Sequence, residues 1–160
     1  MRNEKLSWCF GLRDGLRIAE PSERLAKSYL NEARSSLHTA EKNFLGGDML
    51  WTTVVLYYAE YYALYAFLQR IGIKCENHFC SILAVSRLLG KERVGTIIDH
   101  KSKRIDAQYY MKTGKRGQVE KMLCDAKVFV SWFDRIVSNL SQKDIEDHRH
   151  VLKSFECKDS

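Results

Sequence analysis

Arg104 and Tyr109, five residues apart in the stretch KRIDAQYYMKTGKR (103–116), are the side chains best suited to chemistry on a phosphate. An arginine stays charged at any physiological pH and binds phosphate oxygens as a planar fork. A tyrosine stacks on a base or donates its hydroxyl, but needs a large pKa depression to act as a base near neutrality. Gln108 lies four residues from Arg104 and shares its helix face, whereas Tyr109 is turned about 140° away. Lys101, Lys103, Lys112, Lys115 and Arg116 surround these groups with positive charge. The competing reading makes Tyr109 and Tyr110 inward anchors of a helix whose other face is solvated.

Two further residues are candidates for supporting Arg104. Glu60 is the one charged group in the run MLWTTVVLYYAEYYALYAFL (49–68), so its carboxylate must find a partner or shift its pKa upward. An ion pair and an arginine-orienting role are both open to it. His78 sits in CENHFC (75–80), where a zinc site would need a second ligand pair that the sequence lacks. A capping or hydrogen-bonding role suits His78 better, and His148 and His150 point to different faces of a polar helix. Phosphate-loop and dinucleotide glycine patterns are missing. No metal and no cofactor is expected.

The elements that must carry these residues are helices. Ser22 and Glu23 start one, Leu25, Tyr29, Ala33, Leu37, Ala40 and Phe44 give it a buried stripe, and Gly46-Gly47 ends it. Asp48 caps a second helix, apolar almost all round, that runs to about Arg70. A third spans His78 to Leu89, a fourth Lys91 to Thr113 and a fifth Gln118 to Leu140. Ser141 and Asp144 cap a last polar helix. No segment alternates apolar and polar residues, so no sheet is predicted. The fold class is all-α: an up-and-down bundle of four to five long helices with short additional ones. Residues 1–20 form a short N-terminal arm or turn of helix, 21–140 the bundle, and 141–160 a polar helix on or beside it.

A chain of 160 residues with 45% apolar content can bury one normal core. Five cysteines make no even framework, so reduced thiols and a cytoplasmic setting are expected. The 49–68 run reads as a buried helix, not a membrane span, because Glu60 is central and tyrosines are spread along it. Of the net charge of +6, a surplus of five falls between residues 91 and 121. Such a segment suits a polyanion such as RNA, or equally a solvated corner.

Three stretches together resemble the HEPN domain: WCFGLRDGLRIAEPSERLAKSYLNEA (8–33), YYAEYYALYAFLQRIGIKCENHF (57–79) and RIDAQYY (104–110). The resemblance implies a homodimeric bundle with a groove between subunits. In active members an Arg-x4-6-His motif cleaves RNA without metal. Some members are toxins whose motif-adjacent tyrosine is modified by a partner nucleotidyltransferase. Arg104 matches the motif arginine, and Tyr109 stands where the histidine belongs. Gln108 replaces the acid of the Arg-x4-Tyr subgroup. Arg93 and His100 also satisfy the spacing, two turns upstream of the matching segment.

A neutral tyrosine does not shuttle protons as imidazole does, so the expected function is binding of RNA or a nucleotide ligand around Arg104 without efficient catalysis. The alternatives are a metal-independent endoribonuclease of the toxin type and a partner module for a minimal nucleotidyltransferase.

Overall fold

Residues 2–156 are described by a computed structural model. Seven α-helices follow one another among them: α1 (Arg2–Gly11), α2 (Glu23–Leu45), α3 (Met49–Ile71), α4 (His78–Leu89), α5 (Gly95–Tyr110), α6 (Arg116–Asn139) and α7 (Gln142–Lys153). The all-α class and the bundle are as the sequence indicates. Ser22 Oγ accepts the Leu25 amide at 3.1 Å, Asp48 Oδ1 the Trp51 amide at 3.0 Å, and Ser141 Oγ the Asp144 amide at 3.1 Å. Each satisfies an amide that the first helical turn leaves unpaired.

The central element is α3. It forms a hairpin with α2 across the Gly46–Asp48 turn and also packs against α4, α5, α6 and α7. Tyr57, Leu64, Phe67, Leu68 and Ile71 are fully buried along it. Thr52 and Thr53, buried in its first turns, return their hydroxyls to the carbonyls of Asp48 and Met49, so enclosure leaves no orphaned hydroxyl. No described helix is long and apolar enough to cross a membrane.

Gly72 ends α3 with φ at 75°. A Cβ there would lie 2.2 Å from Arg149 Nη1 and 2.5 Å from the Ala19 carbonyl oxygen. That nitrogen of α7 is shared among the carbonyls of Ala19 (2.8 Å), Ile71 (2.8 Å) and Gly72 (3.0 Å). Glycine is required here twice over, for its backbone angle and for the guanidinium it admits.

Four expectations need correction. A two-residue antiparallel ladder does exist, β1 (Arg17–Ile18) on β2 (Ile73–Lys74), where the chain leaving α3 meets the chain entering α2. The single helix expected over 91–113 is instead a 3-10 turn (Lys91–Arg93) followed by α5. The buried Val94 bends the chain between them, and Met111, in the left-handed region at φ 56°, stops α5 early. The N-terminal segment, read as an arm or a turn of helix, holds more helix than that, since α1 takes 10 of its residues. Finally, Cys9 of α1 and Cys80 of α4 form a disulfide, against the expectation of reduced thiols. Their pairing was illegible in a spacing of 71 residues; docking of α1 on α4 creates it. Cys75 is free and buried, Cys124 free and exposed, and Cys157 lies outside the described residues.

Candidate functional site

Tyr57, Tyr61 and Tyr65 recur every four residues on α3 and so share one face; Tyr58 and Tyr62 form an adjacent row. The rings run down the helix as a ladder, with Tyr61 and Tyr65 stacked at 5.8 Å. The turn after α3 is attached to this ladder, since Tyr65 Oη accepts the Cys75 amide at 3.2 Å. Asn77 then caps α4 by accepting the Cys80 amide at 3.1 Å, and His78 becomes its first residue.

That placement lays the His78 ring flat on Tyr61, centroids 3.8 Å apart, with Nδ1 2.8 Å from Tyr57 Oη. Tyr61 Oη is held in turn by Ser81 at 3.0 Å. Burial raises the Tyr57 pKa, so its hydroxyl keeps its proton and donates to Nδ1. Burial, then the charges of Arg104 and Lys101, push His78 down to about 4. The imidazole is therefore neutral near pH 7, with the proton on Nε2, which has no hydrogen-bond partner among the described residues.

Arg104 completes the cluster from α5. Its guanidinium carbon lies 4.8 Å from the Tyr57 ring centroid and 5.7 Å from that of Tyr58. Nη1 donates to Gln108 Oε1 at 3.2 Å, as their four-residue spacing allows, and the buried Nε has no partner. Among the described residues, no carboxylate forms an ion pair with Arg104. Lys101, one turn earlier on α5, is half-buried; burial and the Arg104 charge lower its pKa. A half-buried guanidinium and a neutral N–H donor thus adjoin without a counter-charge, an arrangement complementary to an anion.

Glu60 does not orient Arg104. Its Oε1 bonds His100 Nδ1 of α5 in a pair wholly shut from solvent. Burial raises the Glu60 pKa to about 7 against the opposing pull of His100, and the charges of Asp125 and Asp99 add to the rise. Arg93, whose spacing to His100 resembles the motif, lies instead over the Trp132 ring at 4.4 Å. The structure does not bring Arg93 and His100 together.

The remaining candidates are dispersed. Tyr109 and Tyr110 are 66% and 67% exposed, which excludes their reading as core anchors. Lys103 pairs with Asp99 at 2.8 Å and, with Lys112, lines a cavity of about 260 Å³ toward α6. Lys115 is exposed before α6, its amide bonded to Gln118 Oε1 at 2.8 Å. Arg116 lies over Phe44 at 4.4 Å. Arg104, Gln108, Lys101 and His78 therefore form one group, and the other cations lie on other faces. Within CENHFC, Cys80 is engaged by Cys9, and among the described residues no His/Cys/Asp/Glu group could hold a metal ion.

Sequence reasoning missed the tyrosine platform, although the spacing of Tyr57, Tyr61 and Tyr65 announces a single face. The partner that makes it a site, His78, comes from a different helix.

The HEPN domain family model matches residues 26–136, more than half of the chain. No curated protein and no solved structure matches it. The matched span holds nearly all of the α2–α3 hairpin, with the tyrosine ladder, His78 and Arg104, and on that match the chain belongs to the HEPN family.

Proposed function

We propose that this HEPN protein binds RNA or a nucleotide ligand through a phosphate held by Arg104 and the Nε2–H of His78, without efficient catalysis. The observation that carries the reading is the uncompensated guanidinium. Half-burying a charge is costly, and here tyrosine faces and one glutamine oxygen offset the cost in place of a carboxylate. A phosphate supplies what is lacking. Lys101 adds local attraction, and the more distant Lys103, Lys112, Lys115 and Arg116 extend it along a longer polyanion. As the resemblance implies, the protein acts as a homodimer, which sets two such sites near one groove.

The test is titration with a short RNA at about 50 and about 200 mM salt. Affinity should fall with salt, and Arg104→Ala should weaken it by about tenfold or more at the lower salt. Absence of binding at low salt, or binding indifferent to Arg104→Ala, removes the reading.

The endoribonuclease alternative gains one specific observation: an imidazole does stand beside the motif arginine, from His78 and not from position 109. Held down to about 4, it is a weak base, so binding remains the better-supported function. Metal-independent cleavage of structured RNA in chelator, abolished by both Arg104→Ala and His78→Ala, would reverse that order. The role as partner module draws on the exposure of Tyr109 and Tyr110, which leaves both hydroxyls open to a nucleotidyltransferase. A mass increase on either tyrosine after co-purification would support it.

A further inference from the structure

Beside the Arg104 site, α4 and α5 enclose a cavity of about 390 Å³. Phe79, Ile82, Leu83 and Ile98 make it apolar, while Ser86, Lys91 and Lys101 supply its polar groups. We propose that the ligand is a single nucleotide unit whose phosphate rests on Arg104 and His78 while its base enters this cavity. The proposal rests on the preceding reading of Arg104 and adds to it a location for the base.

Continuity of the two sites is the first argument. Lys101 lines the cavity and is three residues before Arg104, hence its neighbour on the α5 surface. Phe79 lines it too, one residue after His78 on α4 and so about 100° round the helix, which puts the slot on the flank of the His78 face. The same two helices therefore present an anion site and an apolar slot side by side, as a nucleotide presents phosphate and base.

The lining is the second argument. A volume of about 390 Å³ falls within the roughly 300–1,000 Å³ range of small-molecule sites, which are apolar with a few placed polar groups. Phe79 and Ile98 are 44% and 53% exposed, large apolar side chains left at the opening. Trp8 meets the Phe79 ring in a T-shaped contact at 6.4 Å and steadies it. A base stacks on such a ring whatever its identity.

Charge is the third argument. Among the described residues neither Lys91 nor Lys101 forms an ion pair with a carboxylate. A neutral lipid or apolar peptide would leave both ammonium groups unanswered. A nucleotide offers its phosphate to Lys101 and its ring nitrogens or carbonyls to Lys91 and Ser86 as acceptors.

The experiment is calorimetric titration of the full chain with adenosine 5′-monophosphate and with ribose 5-phosphate, which has the same phosphate and no base. The nucleotide should bind about tenfold more tightly, the effect of one stacked base. Leu83→Trp, which fills the cavity, should collapse that ratio toward one. Ile98→Asp, at a solvent-facing position, provides a second test that does not depend on repacking the interior. Arg104→Ala should weaken both ligands. Equal affinities in the unmodified protein overturn the base cavity and leave the phosphate reading standing. Binding of neither ligand, or binding insensitive to Arg104→Ala, overturns the single-nucleotide site, and the RNA titration above then decides the phosphate reading by itself. If sedimentation shows a dimer that Ile98→Asp dissociates, and the nucleotide has no advantage, a second copy fills the cavity and the proposal fails.

Discussion

His100 and Arg104 leave α5 one turn apart and both reach α3, but they meet opposite surroundings there. His100 enters a closed interior and finds a single carboxylate, Glu60, on the central helix of the bundle. Arg104 remains half-buried on the faces of Tyr57 and Tyr58, with Gln108 as its one side-chain hydrogen-bond partner among the described residues and no carboxylate among them. In the first region the protein supplies both partners and closes them off from solvent, so that even the unpaired Glu60 Oε2 is out of a ligand's reach. In the second, the protein supplies a platform and a cation and leaves the anion to be brought in. The difference separates a buried charge that maintains architecture from one available for binding.

Breaking the closed pair should have the largest effect. Glu60→Ala strands His100, and His100→Ala strands Glu60; each should cost about 3–5 kcal/mol in urea unfolding. Arg104→Ala should cost about 1 kcal/mol or less, the scale of an exposed cation–π contact. Equal losses at the two turns would erase the distinction.

The covalent support of α4 comes next in size. Replacing Cys9 and Cys80 together by serine should lower stability by about 2–4 kcal/mol in the same measurement. Because His78 lies two residues before Cys80, RNA affinity should fall as well; the closed Glu60–His100 pair should not respond. Unaltered stability in the double variant would argue that the crosslink is not formed.

A subtler test uses pH. In the window from about 4 to 6.5, the unfolded chain protonates a histidine that the folded chain holds neutral at position 78, so that group makes stability rise with pH. Glu60 acts oppositely: folded, it keeps its proton up to about 7, so between 4.5 and 7 it makes stability fall as pH rises. The two contributions oppose each other where they overlap. Glu60→Gln should therefore steepen the rise of stability with pH, and His78→Gln should flatten or invert it. Parallel profiles for the two variants would contradict the assignment. The smallest effect belongs to Tyr109→Phe, which should change stability by less than about 0.5 kcal/mol and leave RNA affinity intact. A tenfold loss there would restore Tyr109 to the binding site.

Much of the fold was legible because caps and glycines act locally. Ser22, Asp48 and Ser141 open helices where their side chains predict, and Gly72 and Gly90 close them. What the sequence withheld was contact between distant segments. Glu60 demanded a partner, but a short hydrogen bond to a residue 40 positions away has no local mark. The same holds for Cys9 with Cys80 and for His78 beside Arg104. Arg104 itself was identified from its own side-chain chemistry and from the motif resemblance. The cations around it were grouped by proximity in sequence, whereas successive residues of a helix face different ways, and Lys101 and Lys103 accordingly line different cavities.

Arg149 has a consequence for how the bundle opens. One of its nitrogens answers three carbonyls, from the chain before α2 and from the last residues around the end of α3. Detachment of α7 would thus expose acceptors in two other segments at once. Amides near Ile71–Ile73 and those of α7 should exchange with solvent as one cooperative unit, with protection that Arg149→Ala lowers in both places. By this linkage the most polar helix of the chain sets the opening energy at one end of its most buried one.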